Sequence, residues 1–425
     1  MAYDIAPDIA PDSATLADVR KAGAAPGILS QVALGYSAFI DRNRAVTATR
    51  LTVFPMRPDA ALDAAPLLAA VAEVWPAGGR RVSLNVVSEG LLQDLLQDLL
   101  RAGPAANLMV EVPAFMAADP DQTEALRALH ANGSTLLLKG RPLRELPRAV
   151  LPCFTYSIID LSDDRRVAES SAPAGMPRSM PHVQSGVRTL AEMEASFARG
   201  AHAVLGWPID DAVKTSGSRG STAASGMQVI VELIRQVDTE AAIEKLENTL
   251  KRDPTLAFKL LRYINSPAFG LRVEVSSFRH AIMLLGYQRL KRWLALLLAT
   301  ASKDVNLKPV MFAAVRRGLL MEELARSTGD EEMRSEMFIC GVFSLLDRMF
   351  QQPFAVLLDT LPVPERVRQA LVDEAGPFQP YMEVVKAAES ESLFEFREAA
   401  DRLMMGVGEI NRAQLRAAMA AHSLE

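Results

Sequence analysis

Residues of the types that bind metals or attack substrates are few in this sequence, and their spacing keeps them apart. Cys153 and Cys340 are its two cysteines, and neither stands in the spacing of a metal knuckle or a redox pair. With five histidines in all, a Cys/His metal site is not expected, and a reduced cytosolic setting is the simpler reading. His280 lies in a helical stretch beside Ile282 and Leu285, the place of a structural or surface histidine. The basic cluster Arg289, Lys291 and Arg292 reads as a solvated helix face rather than a phosphate patch. A net charge of −5 argues against a broadly basic surface, so no nucleic-acid partner is expected.

The elements that must position any site divide the chain in two. Its 425 residues, 49% hydrophobic and 23% charged, suffice for two globular domains. Residues 1–27 repeat Ala-Pro-Asp and read as a flexible tail without the basic and apolar regions of a secretory signal. Residues 28–210 alternate β-like runs with helical segments. The runs are Ala33–Ile40, Ala45–Phe54, Arg81–Val86, Asn107–Val112, Thr135–Lys139, Tyr156–Asp160 and His202–Trp207. Helices are expected over Asp59–Val74, with Asp59 as its cap, and over Glu89–Ala102, Thr123–Ala131 and Leu190–Arg199. Such alternation predicts an α/β fold with parallel strands, a barrel being one form.

Residues 211–226 are small and polar, a linker composition. Residues 227–425 lose the β-like alternation and read as all-α. Asp238 or Thr239 is a candidate cap for a helix burying Ile243, Leu246 and Leu250. Asp253-Pro254 opens a helix and Asn265-Ser266-Pro267 closes it, while Gly286 stops the one after. The most apolar run, Trp293–Ala301, is too short to cross a bilayer, so a cytoplasmic protein is expected.

The order of landmarks in the first domain resembles the EAL family, a modified (β/α) barrel that hydrolyses cyclic di-GMP with two divalent metals. On that resemblance Arg50 stands where a metal-binding glutamate is usual. Asn85 matches a ligating asparagine, and Glu111 a ligating glutamate, with Ala114 in place of a second acid. Lys139 and Gly140 replace paired aspartates, Ile158 replaces a lysine, and Asp160 is kept. Ser185-Gly186-Val187-Arg188 has lost both acids of its motif, and Leu205-Gly206-Trp207 resembles the family's ending. Hard divalent cations need several oxygen ligands. Here one carboxylate and one amide remain, beside two cationic side chains whose repulsion in a low-dielectric pocket is on the order of several kcal/mol. Prolines and serines between Asp160 and Val183 leave little room for a crossover helix, so the barrel is expected to be incomplete.

The second domain resembles the HDOD family, through Lys251–Gly270 with its Asp253-Pro254 and Asn265-Ser266 hallmarks, Ser276–Ile282 and Leu284–Leu290. Where related metal phosphohydrolases carry His-Asp, this chain has Ser344 and Leu345 in Cys340–Asp347. Together the two resemblances imply an α/β plus all-α architecture. A degenerate, incomplete EAL-type TIM-like barrel would precede an all-helical HDOD domain, in a bacterial EAL–HDOD signalling protein. They further imply a pseudoenzyme with no metal or other cofactor, a scaffold in cyclic di-GMP-linked pathways such as motility and biofilm formation. Its partners would be other signalling proteins through the HDOD domain and a second copy through the EAL domain. Cyclic di-GMP binding is not expected; a non-hydrolysing cyclic di-GMP receptor is the alternative, and an active phosphodiesterase the reading that the residues least support.

Overall fold

The computed structural model describes residues 27–58, 60–76, 79–164, 180–211, 224–250, 278–300, 304–359, 361 and 363–423. The tail, most of the linker, Asp59, Asp253, Pro254, Asn265 and Ser266 lie outside the described residues.

Eight strands form a closed barrel in sequence order. They are β1 (Val32–Asp41), β2 (Val46–Pro55), β3 (Arg81–Val86), β4 (Leu108–Pro113), β5 (Thr135–Lys139), β6 (Phe154–Asp160), β7 (His182–Val187) and β8 (Ala203–Gly206). Neighbours from β2 round to β8 run parallel, but β1 is antiparallel to both β2 and β8. The expected incomplete barrel is therefore corrected. The strand that sequence periodicity missed is β7, because Gln184 and Ser185 break its apolar run although both are buried. Gln184 is accommodated by donating Nε2–H to the Ile159 carbonyl at 2.8 Å.

Outer helices α1 (Ala64–Val74), α2 (Glu89–Ala102), α3 (Ala114–Ala117), α4 (Thr123–Ala131) and α5 (Leu190–Ala198) cover the barrel. Helix α2 turns Leu91, Leu92, Leu95, Leu96 and Leu99 inward, the spacing its repeated Gln-Asp-Leu-Leu dictates. Helix α1 begins later than expected. Asp63, whose carboxylate accepts from the Ala65 amide at 3.0 Å, is its cap rather than Asp59.

The remainder is helical: α6 (Ala224–Asp238), α7 (Ile243–Leu250), α8 (Phe278–Ala299), α9 (Lys308–Leu324), α10 (Glu331–Phe343), α11 (Leu346–Phe350), α12 (Phe354–Leu358), α13 (Glu365–Val372), α14 (Gln379–Ser390), α15 (Leu393–Leu403) and α16 (Val407–Ser423). Ala224–Gly226 thus belong to α6, not to the linker. Asp238 and Thr239 close α6, Thr239 donating back to the Arg235 carbonyl at 3.0 Å, and do not cap α7. Gly286 interrupts α8 at φ 67°, as its reading as a helix stop requires. Among the described residues no helix is long and apolar enough to cross a membrane.

Barrel and helices share one apolar cluster, in which Tyr36, Ile40 and Trp207 meet Trp293, Phe343 and Ala388. The join has a backbone cause. Strand β8 reaches only Ala38–Asp41 of β1, which leaves the outer edge of Val32–Tyr36 without a strand neighbour. Helix α16 supplies the missing partners. Asn411 donates to the carbonyls of Leu29 (2.7 Å) and Val32 (2.6 Å) and accepts from the Leu34 amide (3.1 Å). Trp207 Nε1 donates to the Tyr36 carbonyl at 3.0 Å. Asn411→Ala leaves these buried backbone groups unpaired and is expected to cost about 2–3 kcal/mol, read as a lowered midpoint in urea or thermal melts. A change within experimental scatter would show that the edge is satisfied in another way.

Candidate functional site

The barrel interior is layered. Phe39, Ala48, Met109, Leu137, Ile158, Val183, Ala203 and Leu205 make an apolar plug. Nearer the carboxyl ends of β2 to β5 the inward positions turn polar, as Arg50, Thr52, Ser83, Asn85, Glu111 and Lys139. Strand alternation sends these residues inward, and the parallel register sets Arg50 beside Ser83 and Thr52 beside Asn85.

Arg50 grips Glu111 with both ends of its guanidinium: Nε to Oε1 at 2.9 Å and Nη2 to Oε2 at 2.7 Å. Ser83 adds an O–H bond to Glu111 Oε1 at 3.1 Å. Lys139 Nζ donates to Asn85 Oδ1 at 2.7 Å, and Asn85 Nδ2 to Thr52 Oγ1 at 3.1 Å. A further acid comes from the helical region. Glu391, in the turn between α14 and α15, accepts from Arg50 Nη1 at 3.3 Å and from the Thr52 hydroxyl. Glu111 has no side-chain exposure; Arg50 keeps 9% and Glu391 19%.

Burial by itself would lower the Arg50 pKa, but Glu111 and then Glu391 raise it above that of an ordinary arginine. Lys139 goes the other way, lowered first by burial and next by the Arg50 charge, with Glu111 and Glu391 opposing.

Four of the five residues singled out in the sequence, Arg50, Asn85, Glu111 and Lys139, therefore meet in one pocket. Asp160 does not join them. Its carboxylate is held by the Ser162 amide (3.0 Å) and hydroxyl (2.7 Å) and by Ser185 (3.2 Å). Thr52, Ser83 and Glu391 were missed. Thr52 and Ser83 share the inward period of their strands with Arg50 and Asn85, a usable signal; Glu391 sits far along the chain and had none.

A second buried network stands where the helical domain has Ser344 and Leu345. Arg317 binds Glu389 through Nε (3.0 and 3.1 Å) and Nη2 (2.7 Å), and donates Nη1–H to Ser344 Oγ at 3.2 Å. Tyr36 of the barrel donates to Glu389 at 3.5 Å, and Arg316 lies 3.9 Å above the Tyr36 ring while donating to Thr49 at 3.2 Å. Burial, followed by Glu389, holds the Tyr36 phenol protonated far above its usual range. Both cysteines are free and buried, and burial pushes the Cys340 thiol up to about 12, leaving it inert at neutral pH. Two of the three cations in the basic cluster are paired, Lys291 with Asp238 and Arg292 with Glu322.

The residues do not fit a pair of divalent cations. Both Glu111 oxygens accept from Arg50, the Asn85 carbonyl oxygen accepts from Lys139, and Asp160 is held by Ser162 and Ser185. Outside the barrel Asp63, Asp94 and Asp98 lie close enough to share a cation, but Asp63 caps α1 and Asp94 accepts from the Ala64 amide.

Against known proteins, the HDOD domain model matches residues 224–350. Residues 224–350, which follow the eight-stranded barrel, are an HDOD domain. The chain is similar to YuxH of Bacillus subtilis, 30% identical over 179 residues, which cover 40% of this chain and 43% of YuxH. It is also similar to the cyclic di-GMP phosphodiesterase CdgJ of Vibrio cholerae, 28% identical over 150 residues and 35% of each chain. The match spans less than half the length of either relative. Among solved structures it is similar to the EAL domain of Mycobacterium smegmatis DcpA, at 20% identity and TM-score 0.30 over 41% of this chain and 90% of that one. The PaMucR phosphodiesterase in complex with c-di-GMP gives 16% and 0.28, over 41% and 94%.

Removing one partner of a buried ion pair strands the other. Glu111→Ala is thus expected to destabilise the fold by about 3–5 kcal/mol, whereas the double change Arg50→Met with Glu111→Leu recovers most of that loss, measured by denaturant melts of the three proteins. Lys139 provides a pH test. Its folded pKa lies below the unfolded 10.5, so the unfolded chain holds the extra proton between the two values and stability rises with pH across that window. Lys139→Met flattens the rise in melting temperature up to pH 10.5; an unchanged slope would remove Lys139 as its source.

Proposed function

We propose that this protein is a non-catalytic signalling scaffold of a cyclic di-GMP-linked pathway, working in the cytoplasm by presenting its HDOD domain to other signalling proteins. The observation that carries this reading is the bidentate Arg50–Glu111 pair. It uses up the carboxylate that a two-metal phosphodiesterase needs and sets a permanent cation in its place. Similarity to CdgJ supports the link to cyclic di-GMP, and Ser344 bound to Arg317 at the would-be His-Asp position supports a second silent centre. The outputs that the EAL–HDOD resemblance implies, motility and biofilm formation, and self-association through the barrel belong to the same proposal.

One observation favours a second reading, a non-hydrolysing receptor for cyclic di-GMP. A cleft of about 740 Å³ opens at the carboxyl ends of β3 to β5, lined among others by Val87, Phe115, Lys139, Arg141, Leu143 and Arg144. Its exposed Phe115 and basic rim suit a base and a phosphate. Incubating the full chain with cyclic di-GMP and Mg²⁺ or Mn²⁺ decides among the outcomes. Neither turnover nor heat in calorimetry is the result expected of a scaffold. Sub-micromolar binding without turnover selects the receptor, and turnover abolished by Glu111→Ala overturns both.

A further inference from the structure

The turn between α14 and α15 is built to deliver a carboxylate into the barrel. Glu391 adopts φ 53°, in the left-handed region where a non-glycine residue is uncommon, and so ends α14. Ser392 immediately caps α15 by accepting from the Glu395 amide at 3.3 Å. On the barrel side Gly35 makes room. A Cβ there would lie 3.1 Å from the Glu391 Cα and 3.3 Å from the Ala388 carbonyl oxygen. A glycine, a left-handed residue and a capping serine thus converge on one insertion.

Charge counting explains what the insertion accomplishes. The polar layer holds two cations, Arg50 and Lys139, and one acid supplied by the barrel itself, Glu111. With Glu391 inserted the layer is neutral; without it, the buried Arg50 and half-buried Lys139 share one acid between them, and Arg50 Nη1 and the Thr52 hydroxyl lose their acceptor. An excess positive charge beside the buried Arg50 favours an anion at the vacated acceptor.

We infer that the Arg50–Thr52 end of the barrel is a binding site for a small oxyanion of the phosphate type, and that Glu391 is its tethered occupant. A free oxyanion that takes the place restores neutrality and frees the α14–α15 turn, so ligand at the barrel is read directly by the helical region. The inference uses the same pocket as the scaffold reading, but its test measures anion exchange rather than turnover, so either can fail alone.

The test compares the full-length wild type with Glu391→Gln, a variant that keeps the shape of the side chain and removes its charge. Inorganic phosphate is the probe, against chloride at equal ionic strength. Wild type is expected to melt at the same temperature in both salts at modest phosphate. Glu391→Gln melts lower in chloride and regains roughly 5 °C at phosphate 100-fold above its Kd, and adding Thr52→Val weakens that phosphate binding at least tenfold. In the wild type at high phosphate, amides of residues 379–403 exchange faster as the turn is displaced. Equal phosphate effects on both proteins would place the anion elsewhere and overturn the inference. So would a phosphate-insensitive variant together with wild-type exchange that phosphate leaves unchanged, a readout that needs no substitution.

Discussion

A guanidinium enclosed in a β-barrel is tolerable only if carboxylates meet it, and Arg50 sets that requirement for the whole molecule. Glu111 answers it from β4 and Glu391 from the helical region, so the charge of one β2 residue ties together two parts of the chain distant in sequence. The apolar plug beneath excludes water from below, which raises the energetic stakes of each bond above it. The fixed cation takes Glu111 as its partner, and with it both oxygens of that carboxylate.

The helical region is correspondingly no appendage. Glu389 and Glu391 lie two residues apart at the end of α14, yet serve different networks: Glu389 holds Arg317 and Tyr36, while Glu391 enters the barrel. Arg317 in turn reaches Ser344 near the end of the HDOD match. The two buried networks are thereby joined through one short turn. Asn411 completes the union by hydrogen-bonding the edge of β1 that lacks a strand neighbour. This edge exists because the strand that closes the barrel runs antiparallel and is met by β8 over only part of its length.

Polar satisfaction, rather than apolar area alone, therefore specifies how the two parts dock. An apolar face could slide; a carboxylate that must meet both Arg50 and Thr52, and an amide that must meet three backbone groups, cannot. The HDOD domain proper ends near residue 350, and the helices that make these contacts, α14 and α16, lie beyond it. The segment after the HDOD match thus adds its own contacts to those that Arg316, inside the match, makes with Thr49 and Tyr36.

Much of this was legible in the residues themselves. The spans of β3, β5, α2 and α4 follow from short apolar runs and helical spacing, which are local properties. The meeting of Arg50, Asn85, Glu111 and Lys139 followed from matching landmarks along successive strands, because parallel register carries equivalent strand ends to one mouth. Sequence failed where the answer was not local. Strand β7 hides behind Gln184 and Ser185, whose polarity is offset by neighbouring strands. Barrel closure depends on the direction of β1, which no periodicity encodes. Glu391 reads as one acid among many until a helical turn brings it over Gly35. By itself the sequence determined which side chains are charged and which way each strand presents them; only tertiary structure decided which charges meet, since a buried ion pair is a contact in space that spacing along the chain does not record.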